Sequence, residues 1–420
     1  MGCGNGEVTM CGDGDEVGYD AVVIGSGYGG AVAACRLSRA GVEVCLIEKG
    51  RKWEAQDFPT NTLKLISELR MENRNLGVNV GPKDALFQLH VQDDSVAAVS
   101  CGLGGGSFIN AGVMIPTPVR VRRSPKWPEE WEQDWDISEA AASSMLRAQS
   151  IPNEFANAKV MKEIVEEEIE ECYPSFFKLS INFNAEESQS STKMGSCLAC
   201  GNCLTGCPYN AKNSTDKNYL ALAVQAGCIM NTECEAQFLV RYWEESSNEI
   251  SRKQKRRWRV YTNDIDYVTA DFVIISAGVF GTEKLLFQSE RRGLTVSDRL
   301  GYGFSCNGNN VAYLAASAAP LNGQGVNKEQ FSKIPFQDRP GPSISSSYTS
   351  SLGFTFQSAV LPAAFPSLLF KGITTYGWPT GYWFLQGLLD KTKHMMCAKD
   401  SQEMVLNVMG HDECDGRITL

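Results

Sequence analysis

A glycine-rich loop near the start of the chain has the residue types and spacing to bind a dinucleotide. Residues 25–30 read Gly-Ser-Gly-Tyr-Gly-Gly and fit the pattern G-x-G-x-x-G. We predict a strand over residues 19–24 before this loop and a helix over residues 28–40 after it. Glycines at Gly25, Gly27, Gly29 and Gly30 let a pyrophosphate lie against backbone N–H groups and the positive end of the helix.

Glu48 ends a second predicted strand, residues 42–48, about twenty residues after the loop. Its carboxylate is placed to accept hydrogen bonds from both ribose hydroxyls of an unphosphorylated adenosine, whereas an arginine in this role would favour NADP. A glycine-rich turn with a surface glutamate is the alternative. The order of strand, loop, helix, strand and acid argues against it, although this pattern alone does not separate NAD from FAD.

A second glycine cluster favours FAD. Residues 104–112 read Gly-Gly-Gly-Ser-Phe-Ile-Asn-Ala-Gly, and they interrupt an otherwise apolar segment. Backbone with so few side chains can approach another group closely, and this stretch could line an isoalloxazine ring. An NAD-dependent dehydrogenase is the reading that this cluster disfavours.

These motifs resemble those of the glucose-methanol-choline (GMC) oxidoreductases, and in particular their cholesterol-oxidase-like branch. Residues 104–112 are similar to the flavin-proximal motif of that family, and Trp127, Pro128 and Trp131 resemble the stretch that follows it. The resemblance continues through the segments 200–220, 275–282 and 300–309. It implies FAD contacts at the following positions: Tyr28, Gly29, Glu48, Gly105, Gly106, Asn110, Gly112, Ala277 and Gly278.

The resemblance also implies a reaction, the oxidation of an alcohol. In the family a base removes the hydroxyl proton while hydride leaves the carbinol carbon for flavin N5, and dioxygen or another acceptor reoxidises the flavin. The histidines of this chain, His90, His394 and His411, do not match the C-terminal histidine motif of the family. We therefore expect a chain that is truncated at its C-terminus and leave the catalytic residues unknown.

Gln357 matches the position at which cholesterol oxidases carry a glutamate near the flavin. An amide is no general base, but it could hold the hydroxyl of a substrate. A structural glutamine is the alternative, and Gln357 is a weak candidate for substrate contact.

Four cysteines, Cys197, Cys200, Cys203 and Cys207, have the spacing C-x2-C-x2-C-x3-C-P that is typical of iron-sulfur ligands. The fourth cysteine of such a run normally serves a second cluster, and the sequence has no second run. Members of the resembling branch are generally simple flavoproteins. We expect reduced thiols and no metal here, with an iron-sulfur cluster or zinc as the alternative.

Composition and charge restrict the partners. The chain has 420 residues, a formal net charge of −10 and fifteen cysteines. Its acidity argues against nucleic acid as a partner, and its first residues lack the pattern of a secretory signal, so we expect an intracellular location, cytoplasmic or organellar. Uncharged runs between residues 341 and 389 contain several prolines, which favours a cavity for an apolar substrate over a membrane span. Peripheral membrane contact stays open.

The predicted fold is α/β: a doubly wound, Rossmann-like FAD-binding domain with an α+β substrate domain built from insertions. A strand over residues 271–275 and a helix over residues 282–288 resume the doubly wound pattern far from its start. The predicted divisions are a flexible leader at 1–17, a discontinuous FAD-binding domain at 18–120 and 213–312, a cysteine-containing insertion at 121–212 and an incomplete substrate domain at 313–420. A basic run at 252–257 reads as an exposed hairpin loop.

The function that these observations predict is FAD-dependent oxidation of the CH–OH group of an apolar alcohol, either a sterol or a long-chain alcohol. Two alternatives belong to other classes. One is a catalytically inactive flavin-binding fragment, and the other is an iron-sulfur flavoprotein that passes electrons between its centres.

Overall fold

A computed structural model of the chain describes residues 18–73, 77–91, 96–184, 194–242, 258–314, 317–365 and 402–420. The predicted leader at 1–17, the basic run at 252–257 and His394 lie outside these ranges. Residues 366–389 of the uncharged stretch also lie outside them.

The central element is a six-stranded sheet with the strand order β10-β2-β1-β13-β12-β11. Its strands are β1 (Gly18–Ile24), β2 (Val44–Ile47), β10 (Ile229–Asn231), β11 (Phe238–Arg241), β12 (Trp258–Tyr261) and β13 (Tyr267–Ile275). The first four in spatial order run parallel, and the last two form an antiparallel edge. The central parallel strands are short apolar runs, as expected for strands that are covered on both faces.

Helices cover both faces of this sheet. Helices α1 (Tyr28–Arg39) and α7 (Tyr219–Gln225) pack against one face, where Val23, Leu46 and Leu220 share a buried cluster. Helix α8 (Gly278–Glu290) contributes Leu285 to the cluster on the other face, which includes Val22. Because alternate residues of a strand point to opposite faces, the Val22-Val23 pair supplies both cores. This arrangement confirms the predicted α/β class with a parallel sheet.

Strand β1 pairs with β13 along its whole length, from Gly18 opposite Thr269 to Ile24 opposite Ile275. Two segments nearly 250 residues apart in sequence therefore form one continuous sheet. Strand β13 is longer than the five residues predicted from sequence, because its first half also pairs with the antiparallel strand β12 and carries polar residues there.

The segment after β2 forms a separate four-stranded sheet that precedes the second glycine cluster. Its order is β4-β3-β5-β6. Its elements are α2 (Thr62–Ser67), β3 (Leu69–Asn73), β4 (Val78–Val80), β5 (Phe87–Val91) and β6 (Val96–Ser100). The mixed polar and charged pattern of this segment did not predict these strands, because β3 and β5 are only partly buried and β4 and β6 contain no buried residue.

A five-stranded antiparallel sheet has the strand order β15-β18-β17-β16-β8 and is formed mainly by strands of the predicted substrate domain. Its strands are β8 (Cys172–Pro174), β15 (Asn310–Leu314), β16 (Ile344–Ser350), β17 (Thr355–Ala359) and β18 (Met404–Met409). The predicted domain boundaries remain predictions. Here β15 runs across the boundary at residue 312, and β8 from the 121–212 segment pairs with β16, because strand pairing is not restricted to neighbours in sequence.

Helix α6 (Ala156–Glu168) packs on this sheet through Met161 and Val165. The remaining elements are β7 (Val113–Met114), α3 (Val119–Arg122), α4 (Glu129–Glu132), α5 (Trp135–Met145), β9 (Lys178–Leu179), β14 (Tyr302–Phe304) and β19 (Gly416–Arg417). Residues 127–150 thus contain two helices, α4 and α5. A search of the described ranges for a helix with the length and apolar character of a membrane span finds none.

Candidate dinucleotide site

The first glycine loop, residues 25–30, consists of the turn 25–27 after β1 and the first three residues of α1, and it forms a backbone cradle. Gly25 has a φ of +93°, and a Cβ there would lie 2.4 Å from the carbonyl oxygen of Ser276. A Cβ on Gly30 would lie 1.9 Å from the carbonyl oxygen of Gly25. At Gly27, by contrast, a Cβ would meet nothing within 4 Å. The loop is thus closely packed on its inner side and open in front of the helix, where a pyrophosphate would lie.

Glu48 follows β2 and is buried, with 7% of its surface exposed. Its Oε2 accepts hydrogen bonds from Ser26 Oγ at 2.6 Å and Ser26 N at 3.0 Å, and its Oε1 accepts one from Gly50 N at 2.8 Å. Burial raises the pKa of Glu48, and the hydrogen bonds from Ser26 and Gly50 offset part of that rise. A carboxylate offers about four acceptor positions, so Oε1 keeps capacity for a ribose hydroxyl.

The second glycine cluster lies directly against the first loop. Gly104 N donates to Ser26 Oγ at 2.9 Å, and a Cβ on Gly105 would lie 2.8 Å from Gly27 Cα. Gly105 has a φ of +52°, so its backbone conformation also favours glycine. Gly106 faces open space. The structure therefore brings two motifs that are about 75 residues apart in sequence into one site.

Asn110 ties this cluster to the start of α1. Its Nδ2 donates to Tyr28 Oη at 2.7 Å, and its Oδ1 accepts from Gly112 N at 3.0 Å. Gly112 has a φ of +73°. Tyr28, Asn110 and Gly112, which were predicted as cofactor contacts, are therefore directly connected.

Ala277 and Gly278 follow β13 at the first residues of α8, beside the first loop. The preceding Ser276 N donates to Ile24 O at 2.7 Å, which sets the ends of β1 and β13 side by side. Gly29 approaches the Ser276 hydroxyl, which would lie 3.4 Å from a Cβ added there. All twelve predicted cofactor residues thus lie on the loops at the carboxyl ends of β1, β2 and β13 or on the loop 104–112 packed against them. Ligands of open α/β sheets bind at this edge.

Residues that the sequence did not single out complete this region. Ser26 links Glu48 to Gly104, and the Ser107 hydroxyl lies 3.2 Å from that of Thr215 and donates to Gly104 O at 2.7 Å. Ser26 and Ser107 are each fully buried. A serine inside a glycine-rich loop is a weak signal, and the partner of Ser107 is 108 residues away in sequence.

The four predicted cysteines lie together in one pocket with Tyr209 and Lys212. All four carry unpaired thiols. Burial raises the pKa of Cys197, Cys200 and Cys203, which favours the thiol over the thiolate. In the described ranges, no three His, Cys, Asp or Glu side chains are arranged to hold a metal ion.

Comparison with known proteins agrees with this geometry. A family model described as GMC oxidoreductase matches residues 19–300, which is more than half of the chain. The chain belongs to the GMC oxidoreductase family. This confirms the resemblance drawn from its motifs, and GMC oxidoreductases bind FAD.

Several individual proteins are similar in sequence to this chain. A cholesterol oxidase from Acinetobacter baumannii is 29% identical over 322 residues, which are 67% of this chain and 53% of that protein. A cholesterol oxidase from Mycobacterium tuberculosis is 27% identical over 305 residues, 67% of this chain and 50% of that protein. Long-chain-alcohol oxidase FAO1 from Arabidopsis thaliana is 26% identical over 287 residues, 66% of this chain and 35% of that protein. The chain thus matches about half of each of these cholesterol oxidases and about a third of the plant oxidase.

Gln357, the candidate substrate contact of this GMC oxidoreductase, lies on the middle strand of the five-stranded sheet and is buried. Its Oε1 accepts from Asn407 Nδ2 at 3.3 Å, and its Nε2 lies 3.5 Å from Ser347 Oγ. It points to the same face as Ala359, two residues on, whose cluster includes Ala111 of the flavin-proximal segment. Its role in substrate contact stays a prediction.

The two described histidines occupy other places. His90 stacks on Phe280 with ring centroids 4.5 Å apart, and its Nδ1 lies 3.8 Å from a Glu72 carboxylate oxygen. His411 is exposed and its backbone approaches Gly308. Neither is part of the loops at 25–30 and 104–112.

Proposed function

We propose that this chain is the FAD-binding part of an oxidoreductase that acts on the CH–OH group of an apolar alcohol, a sterol or a long-chain alcohol. The observation that carries this proposal is the convergence of the loop 25–30, Glu48 and the loop 104–112 at one edge of the parallel sheet. Family membership supports FAD as the cofactor. The printed names of its relatives, cholesterol oxidase and long-chain-alcohol oxidase, support the substrate class.

The described residues fit an FAD molecule. The open space before Gly27 and the N-terminus of α1 suit the pyrophosphate, and Glu48 suits the ribose. Gly106 faces open space on the neighbouring loop, where a planar ring could approach the backbone. When bound, FAD would supply the acceptor for a hydride from the carbinol carbon, and dioxygen or another acceptor would reoxidise it.

The five-stranded sheet supports an apolar substrate. On the face toward Ala111, its buried residues include Ile344, Ala359 and Val405. Gln357 adds an amide to this face, and an amide can bind a hydroxyl without removing its proton. We propose that the chain positions an alcohol between this face and the loop 104–112.

A second candidate function is a flavin-binding protein without alcohol turnover. One observation favours it: within the described ranges, both His90, which stacks on Phe280, and the exposed His411 lie outside the two glycine loops. No described histidine is therefore placed on those loops to remove a hydroxyl proton.

The absorbance spectrum of the purified chain tests both functions. The proposal predicts visible flavin bands that bleach when cholesterol or a long-chain primary alcohol is added without oxygen. Flavin bands that persist would favour the second candidate. A protein that has no flavin bands and takes up no added FAD would refute both. Assay of iron and acid-labile sulfide on the same sample tests the iron-sulfur alternative.

Two glutamine variants test the substrate face. Gln357→Leu removes the amide from the buried face, whereas Gln324→Leu removes an amide whose Nε2 donates to Pro362 O at 3.3 Å, outside the strands of the sheet. We expect slower bleaching by alcohol in Gln357→Leu and normal bleaching in Gln324→Leu. Equal FAD affinity in the two variants is the control, and equal bleaching would refute a role of Gln357 in substrate contact.

A further inference from the structure

Lys212 is a buried lysine whose ammonium group contacts the backbone of the loop 104–112. Only 2% of its surface is exposed. Its Nζ donates to the carbonyl oxygens of Phe108 at 2.8 Å, Cys203 at 3.2 Å and Asn110. An ammonium has three donors, and these three carbonyls provide an acceptor for each of them.

Two of these carbonyls, those of Phe108 and Asn110, belong to the loop 104–112, which is part of the candidate site. Asn110 contacts Lys212 through its backbone carbonyl and Tyr28 through its side chain. Tyr28 is the first residue of α1, immediately after Gly27. A continuous path of hydrogen bonds therefore runs from the Lys212 ammonium through Asn110 to the start of the helix that faces the pyrophosphate position.

Packing alone does not require a charge at this position. Taking a cation out of water costs several kcal/mol, and an apolar side chain of similar volume is often as stable in such a place. Lys212 compensates for its burial with three carbonyl groups that belong to two different loops, 108–110 and the cysteine segment. These loops would otherwise lack a common hydrogen-bond donor among their described contacts.

Burial lowers the pKa of Lys212 to about 8. The ionisable groups that act on it are Cys203 and Cys207, Lys217 and Asp216. Of these, the two thiols and Asp216 favour the charged form and Lys217 opposes it. Deprotonation would remove one of the three donors and the charge.

We propose that Lys212 is a positioning residue for the cofactor, which holds the backbone of residues 108–110 in the conformation that binds the flavin. The inference rests on the proposed function as far as FAD binding, and it does not depend on the alcohol. Lys212 acts through the loop, since all three of its hydrogen bonds go to protein carbonyls.

The test measures FAD affinity of the full chain by flavin fluorescence, without any alcohol present. Lys212→Met keeps a long unbranched side chain and removes the three donors. Lys64→Met is the control, because half-buried Lys64 also donates to a backbone carbonyl, that of Gln56, which belongs to neither glycine loop. We expect the Kd for FAD to rise at least about tenfold in Lys212→Met and to stay unchanged in Lys64→Met.

A pH profile of the unsubstituted chain provides a second measurement that does not depend on the folding of a variant. The Kd for FAD should rise between about pH 7 and pH 9, as Lys212 loses its proton. A profile that is flat over this range, or equal FAD affinity in Lys212→Met and the unsubstituted chain, would overturn the inference and leave the proposed function intact. If the unsubstituted chain takes up no FAD, the proposed function and this inference both fail.

Discussion

Two alanine substitutions with different steric consequences, Gly27→Ala and Gly30→Ala, separate the folding role of the first loop from its binding role. The two glycines are three residues apart in the same loop. A Cβ on Gly30 would lie 1.9 Å from the carbonyl oxygen of Gly25, so the backbone must move by about 1 Å to accept it. A Cβ on Gly27 would meet nothing within 4 Å, and its φ of −61° is open to alanine.

The magnitudes follow from these contacts. Overpacking of this kind costs about 1–3 kcal/mol, and we expect Gly30→Ala to lower the free energy of unfolding of the apoprotein by about that amount. Gly27→Ala should change it by less than about 1 kcal/mol. The added methyl group would instead occupy the space in front of α1 and displace the pyrophosphate. Loss of one charge-assisted hydrogen bond, about 1.5–3 kcal/mol, would weaken FAD binding by about 10- to 150-fold.

Urea denaturation of the apoproteins gives the free energies of unfolding, and titration with FAD gives the dissociation constants. The expected pattern is a stable Gly27→Ala protein with weak FAD binding and a destabilised Gly30→Ala protein. The reasoning would be refuted if Gly27→Ala bound FAD as tightly as the unsubstituted chain, because the pyrophosphate would then lie elsewhere. It would also be refuted if the two apoproteins were equally stable.

Three further predictions concern polar groups at the site and near the end of the chain. Glu48→Gln should lower stability by about 1–3 kcal/mol and weaken FAD binding, because an amide N–H would face the donors of Ser26 or Gly50; unchanged urea denaturation would count against this. Asn110→Ala removes the bond to Tyr28 and should weaken FAD binding by up to about tenfold, with Tyr28→Phe showing a similar loss; a normal Kd in both variants would contradict the link. Hydrogen bonds from the Ser305 hydroxyl, Cys414 and Cys306 N lower the pKa of Asp412 from its usual 3.8 to about 2. Its contribution to stability is therefore present above pH 3.8 and is lost as the pH falls toward 2, so Asp412→Asn should flatten the fall in urea midpoint over that range; an equally steep fall would refute it.

The sequence predicted the strands and helices with a simple periodicity. Residues 19–24 and 42–48 were predicted as strands from continuous apolar runs, and the structure has strands at Gly18–Ile24 and Val44–Ile47. The glycine pattern predicted the loop between β1 and α1, because few backbone conformations fit between a strand and a helix so close together. The four-stranded sheet at residues 69–100 was missed, since its strands are short and at most partly buried, and β3 carries charged residues.

The sequence by itself determined the parallel-sheet class, the glycine-rich loop between strand and helix, the acid at Glu48 after the second strand and membership of the GMC family. These features depend on local patterns, namely apolar runs and the absence of side chains at specified positions. Only the tertiary structure decided which distant groups meet. Gly104 donates to Ser26, β13 pairs with β1, and Lys212 donates to the carbonyls of Phe108 and Asn110. Such contacts join residues that are 78 to 251 positions apart, and nothing in either local segment specifies its partner. The partner is selected when burial of the surrounding apolar surface brings the loops together and each buried polar group must find a hydrogen bond.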